Sequence, residues 1–172
     1  RFPALQFFMA VNNILNSSFW ELPMRVGIAY GDVIISKPHN LFLGQPIIDA
    51  HLLEGAQEWI GGACHASCHI APGFHDVCEN RLVNYLDVPT KKGFERMFAL
   101  HWSPGINIGT YCNLLESMKN GAPPCAHDKY DQTLAHVKSW SLISRTTPDM
   151  HWFAPDPNGA IVEHAPRFTQ NQ

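Results

Sequence analysis

The sequence predicts an α+β fold: an antiparallel or mixed sheet covered by helices on one face, with a helical extension at the C-terminal end. Three observations carry this. Apolar residues recur at helical spacing over 3–19 and 46–59, strand-like runs bounded by turns occupy 24–36 and 81–102, and from Ser103 to about 143 the pattern changes to helices.

In order, 3–19 places Phe7/Phe8, Val11, Ile14/Leu15 and Phe19 on one face of a helix, with Pro3 in its first turn. The stretch MRVGIAYGDVIIS (24–36) reads as a strand broken near Tyr30-Gly31, and KPHN as a turn. Residues 40–59 begin extended, turn at Gly44 and become helical after Pro46, with Ile47, Ala50 and Leu53/Glu54 in step. Residues 60–70 read as a strand and HDVCEN as a polar connection. RLVNYLDV (81–88) and FERMFALHW (94–102) flank PTKKG and form a hairpin. Helices are expected over 109–119 and 127–143, the second with Tyr130, Leu134, Val137 and Trp140/Ser141 on one face. From Ser144 the chain reads as a loop or an extended arm, and no repeat is visible.

Composition narrows the classes of function. The 45% hydrophobic content builds a core, while a net charge of −3 leaves no basic footprint for nucleic acid. No apolar run approaches the roughly 18–20 residues of a membrane span. The first 19 residues lack a signal-peptide pattern. Five cysteines without regular spacing point to a reducing, cytoplasmic setting rather than a disulfide framework.

GGACHASCH (61–69) is the densest run of ligand-type residues, with Cys64, Cys68 and His69 as the candidate metal ligands. Covalent haem attachment uses C-x-x-C-H, which the three residues between Cys64 and Cys68 do not match. In a straight strand these two cysteines would lie roughly 13 Å apart, too far for one zinc ion at ~2.3 Å per Zn–S bond. Alternation then turns Cys64, Ala66, Cys68 and Ile70 inward and His65, Ser67 and His69 outward. The cysteines become compact core residues. His127, His136, His151 and His164 are dispersed and suggest no catalytic triad.

Three motifs in order carry a resemblance. LPMRVGIAYGDVI is followed by LFLGQPIIDAHLLEGA, and about 40 residues later by LDVPTKKGFERMFALHW. Together they resemble the second half of a class III nucleotide cyclase homology domain, over about residues 3–102. Arg25, Gly27, Ile28 and Gly31 match its R-x-G-I-x-x-G strand; Gly44, Ile47, Ala50, Leu53 and Glu54 match its helix; Val88, Lys92, Gly93 and Phe98 match its hairpin. The resemblance implies a ferredoxin-like cyclase-type sandwich in 1–102, with 103–172 as the extension and the first strands expected upstream of Arg1. It also implies that Mg²⁺ or Mn²⁺, held in an active cyclase by aspartates of those strands, would carry the phosphoryl chemistry.

At the positions to which the resemblance assigns an Asn for the ribose and an Arg for the transferring phosphate, this chain has Ile48 and Leu52. Leu41 stands at the base-selecting position. An aliphatic side chain donates nothing to a phosphate oxygen, and losing one such donor costs about 3 kcal/mol of barrier. Lys92 keeps the phosphate-binding position, against the alternative of an exposed lysine in a K-K-G turn. Asp32 and Asp49 are candidate replacement carboxylates, although Asp49 points about 100° away from Ile48 and reads as an exposed-face residue. Trp20, Trp59, Trp102 and Phe42 are expected in the core or a dimer seam. Three readings follow. The first is a catalytically degenerate cyclase-like domain acting in dimerisation or ligand sensing, needing no cofactor, with a second copy or a cyclase-type domain as partner. The others are an active cyclase of a nucleoside triphosphate, and a Cys/His metal module.

Overall fold

The computed structural model describes residues 4–18, 22–101 and 108–146. The elements are α1 (Ala4–Ser18), β1 (Arg25–Ile28), β2 (Ile34–Ser36), β3 (Leu41–Leu43), α2 (Gln45–Ala56), β4 (Gly61–Cys64), α3 (Phe74–Glu79), β5 (Val83–Thr90), β6 (Gly93–Leu100), α4 (Ile108–Gly121) and α5 (His127–Thr146). The fold is α+β with a mixed four-stranded sheet ordered β1-β4-β6-β5 and a separate two-stranded ribbon, β2-β3. β1 and β4 run parallel, and the other neighbours are antiparallel.

That parallel pair decides the layering. A parallel connection must cross over the sheet, and α2 makes the crossing. Gly27, Ala63 and Ala99 form one register row beneath α2. A Cβ on Gly27 would stand 2.1 Å from the Ala50 carbonyl oxygen, so only glycine admits the helix this close. The adjacent row of Ile28, Cys64 and Phe98 faces the other way. There Phe98 meets Phe74 of α3 at 5.0 Å between ring centroids, and Phe74 meets Phe8 of α1 at 5.7 Å. Helices therefore cover both faces, where a single covered face was expected.

α1 is tied to the sheet by Asn12, whose amide donates to the carbonyls of Leu82 and His101. The extension packs onto the same core. Thr133 of α5 accepts the Ile60 N–H at 2.8 Å, the fully buried Trp59 stacks at a tilt on His136, and Tyr111 of α4 hydrogen-bonds Asn16 of α1. Tyr130, Leu134 and Val137 are buried as expected of the α5 stripe, and the side chains of Trp140 and Ser141 lie outside those described. α5 continues to Thr146, past the helix end expected near 143. Pro3, Phe19, Trp20, Trp102, His151, His164 and the tail beyond 146 lie outside the described residues.

The segment after β4 departs from expectation. The strand stops at Cys64, and Ala66–Ile70 coils into a 3₁₀ turn. His65 starts that turn in extended conformation while its Nδ1 accepts the Ser67 N–H, an N-cap contact that competes with continued strand. HDVCEN, expected as a connection, lies largely within the short helix α3 with Phe74 and Val77 buried.

Candidate functional site

α2 is the element on which the resemblance concentrates function. It begins at Gly44 with φ 157°, where a Cβ would come 2.5 Å from the Asp32 carbonyl oxygen, and Pro46 fills its first turn. Its far end is fastened to β1 and β4. Arg25 donates to the Gln57 carbonyl at 2.7 Å and pairs with Glu54 at 2.9 Å. Fully buried Gln57 donates to the carbonyls of Val26 and Leu53 and accepts from the Trp59 indole at 2.8 Å. Every polar group of the Gln57 side chain is thereby satisfied. Glu54, to which the sequence assigned no chemistry, is one end of this clamp.

The opposite face of α2 is apolar and open. Ile48 is 53% exposed and Leu52 64%. The ribbon that leads into the helix is apolar on both of its faces. Ile34 pairs with Leu43 on one side and Ile35 with Phe42 on the other, all at least half exposed. Asn40 turns the ribbon in left-handed conformation after Pro38, and Leu41 next to that turn is exposed as well. Phe42, expected in core or seam, is therefore surface, while Trp59 is core.

The remaining candidates are scattered. Lys92 is exposed in the β5-β6 turn, its N–H bonded to Thr90 Oγ1. Asp32 is exposed between β1 and β2. Asp49 is not the exposed-face residue expected: its side chain is 19% exposed, it accepts from Gln45 at 2.8 Å and it lies 3.9 Å from His65 Nδ1. That carboxylate is occupied inside the protein. Among the described residues no three His, Cys, Asp or Glu side chains assemble as metal ligands.

The 3₁₀ turn corrects the geometry expected of the cysteines. Instead of standing far apart along a strand, Cys68 is folded back into the core beside Cys64, and its Sγ donates to the Ile28 carbonyl at 3.4 Å. Both are buried, so their role as core residues holds although the strand does not. Burial, then the contact with Cys68, pushes the Cys64 thiol well above its ordinary value, and burial pushes Cys78 up to about 12. These are inert thiols. His69 joins no cluster with them, since its Nδ1 hydrogen-bonds the Ala66 carbonyl.

One grouping escaped the sequence reading. His65 Nδ1 lies 3.0 Å from Ser67 Oγ, which accepts the Tyr30 N–H, and Asp49 approaches the same nitrogen. A catalytic triad needs the serine on one ring nitrogen and the carboxylate on the other. Here both face Nδ1, so the grouping caps a turn. A polar groove of about 580 Å³ also runs between α4 and α5, where Lys119 and Asp131 already neutralise one another at 2.5 Å.

The fold and this surface together define an α+β domain with a mixed sheet that presents an apolar ribbon and helix face. Comparisons with protein-family models, curated proteins and solved structures find no match to the chain.

Proposed function

We propose that this chain is a divergent class III cyclase-like domain that has given up phosphoryl transfer and acts through dimerisation or ligand sensing, in a reducing cytoplasmic setting. One observation carries the reading. At the two α2 positions where the resemblance calls for an Asn and an Arg, the side chains are Ile48 and Leu52, and both face solvent. Solvent-facing donors would be free to meet a nucleotide; solvent-facing aliphatics favour a protein contact. The five cysteines are unpaired, in keeping with a reducing compartment. Among the described residues no helix is long and apolar enough to cross a membrane.

The alternative, an active cyclase with Mg²⁺ or Mn²⁺ held by aspartates upstream of Arg1, retains exposed Lys92 as its phosphate contact. One assay separates them. The longest natural form of the chain is incubated with ATP, GTP, CTP or UTP and Mg²⁺ or Mn²⁺, and cyclic product is measured by mass spectrometry. No cyclic product is expected with any of the four. Product that scales with protein and disappears in Lys92→Ala would overturn the proposal.

A further inference from the structure

We propose that His65 is a proton-operated latch: as a neutral ring it caps the 3₁₀ turn after β4, and as an imidazolium it releases that turn and pairs with Asp49 of α2. This goes beyond the cyclase-like reading and does not depend on it.

Three groups meet one ring nitrogen. His65 Nδ1 accepts the Ser67 N–H at 3.3 Å, lies 3.0 Å from Ser67 Oγ and stands 3.9 Å from Asp49 Oδ2. An N–H can only donate, so the Ser67 amide requires a lone pair on Nδ1, which assigns the proton of the neutral ring to Nε2. Ser67 Oγ already accepts the Tyr30 N–H at 3.0 Å, which leaves its own proton to be donated to Nδ1 as well. A carboxylate can only accept, and 3.9 Å from a nitrogen without a proton it makes no hydrogen bond to the ring. In the neutral state His65 therefore belongs to its own turn.

The next proton has one place to go. Nε2 is occupied, so protonation takes place at Nδ1 and consumes the lone pair on which the cap depends. The Ser67 N–H then faces another N–H and must turn to water, which reaches this partly exposed residue. Asp49 becomes the partner of the charged ring. Its Oδ1 is held by Gln45 at 2.8 Å, its Oδ2 is the oxygen nearest His65, and its side chain is 19% exposed, so salt screens the pair less than it would at an open surface.

Other titratable side chains lie on the elements packed around the ring. α2 also carries His51, the β1-β2 connection carries Tyr30 and Asp32, the turn itself carries His69, and α3 carries His75, Asp76 and Glu79, with Cys64 and Cys68 in the core beneath. Among the described residues, Asp49 is the carboxylate in ion-pair contact with His65, whereas Glu79 is paired with His75 and His69 Nδ1 hydrogen-bonds the Ala66 carbonyl. The latch sits where the parallel strands β1 and β4 both end. It joins Tyr30 after β1, the turn after β4 and the helix that connects the two strands, so one proton changes how these three segments are held together.

Nuclear magnetic resonance on the longest natural form, titrated between pH 8 and 5 where imidazoles change charge, tests this. Long-range nitrogen correlations should show neutral His65 with its proton on Nε2, and Nδ1 gaining the added one. The Ser67 amide proton should move upfield as it loses its acceptor, and the Asp49 carboxyl carbon should shift, both with the midpoint of the ring. A neutral ring with its proton on Nδ1, or a Ser67 amide indifferent to the ring's titration, overturns the inference. His65→Asn keeps a side-chain oxygen for the Ser67 N–H but takes up no proton, so its Ser67 amide should stay flat across the range. One that still moves assigns the effect to another group and overturns the latch. Asp49→Asn should carry the Ser67 change to lower pH, and an unchanged midpoint overturns the pairing with α2. Should either variant fail to fold, the tautomer and the shared midpoint in the unsubstituted protein decide the same question.

Discussion

Acid should unfold this protein through His136, and the effect can be sized. The imidazole sits in α5 with its ring centroid 4.3 Å from that of Trp59, and burial lowers it from its ordinary 6.5 to about 4. Its folded value lies below its unfolded value, so the fold holds the neutral ring. The stability this provides is complete above pH 6.5, declines as pH falls toward 4, and declines no further below that. At about 1.4 kcal/mol per pH unit the loss is about 3 kcal/mol in full and about 2 kcal/mol at pH 5. The face of Trp59 attracts the cation and offsets part of this. Urea unfolding of the wild type and His136→Gln between pH 7.5 and 4.5 isolates the contribution, because carboxylates and His101 titrate in both proteins and cancel. The stability difference between the two should shrink or reverse by about 2 kcal/mol on going to pH 5. A difference that stays flat across that range, or an NMR titration of His136 centred above 6, would refute the reasoning.

Other outcomes follow from the same contacts. Gly27→Ala drives a methyl into the Ala50 carbonyl and should cost about 3 kcal/mol, read from chemical denaturation with α2 partly detached. Arg25→Met removes the partner of Glu54 and the donor to Gln57, and should lower stability by about 1–2 kcal/mol in the same measurement. Lys92→Ala, at an exposed turn, should change stability by less than about 0.5 kcal/mol. With a thiol reagent at pH 8, exposed Cys125 should react at once, while buried Cys64 and Cys68 react only on unfolding; fast labelling of either would contradict the packing around Ile28.

Most of the architecture was legible because local pattern and tertiary demand agree. Helices α1, α4 and α5, the break at Gly31, the turn at Gly44 and the β5-β6 hairpin all appear where spacing and punctuation put them, although of the stripe expected on α1 only Phe8 and Leu15 are buried while Phe7 and Ile14 are exposed. The failures share a cause. In GGACHASCHI, alternation by two and a turn of i,i+4 bury the same two cysteines, so the pattern cannot tell strand from coil. The deciding interaction is a side chain capping its own backbone, His65 to Ser67, which carries no periodic signature. α3 went unseen for a related reason: six residues give too few turns for a helical stripe. Asp49 looked solvent-facing because α2 was considered alone, and its neighbour His65 comes from a segment that the strand reading had aimed elsewhere.

The sorting of the resemblance's residues by the structure is the strongest argument about function. Arg25, Gly27, Gly44, Ala50 and Glu54 match the pattern, and each does a job that seats α2: an ion pair, a missing Cβ beneath the helix, a cap, a carbonyl in close contact. Leu41, Ile48 and Leu52 depart from it, and all three point outward. Seating and surface are thus separable in this fold. Residues that hold the helix to the sheet change at a cost of about 1–3 kcal/mol, whereas outer-face residues change at little cost to the isolated chain. The proposed reading accounts for three aliphatic side chains at these exposed places as parts of a surface that a partner covers. Polar replacement should therefore test the assignment directly. Ile48→Asn with Leu52→Arg should leave the stability of the monomer within about 0.5 kcal/mol while abolishing its association. A double variant that still associates as the wild type does would show that the outer face of α2 is not the contact.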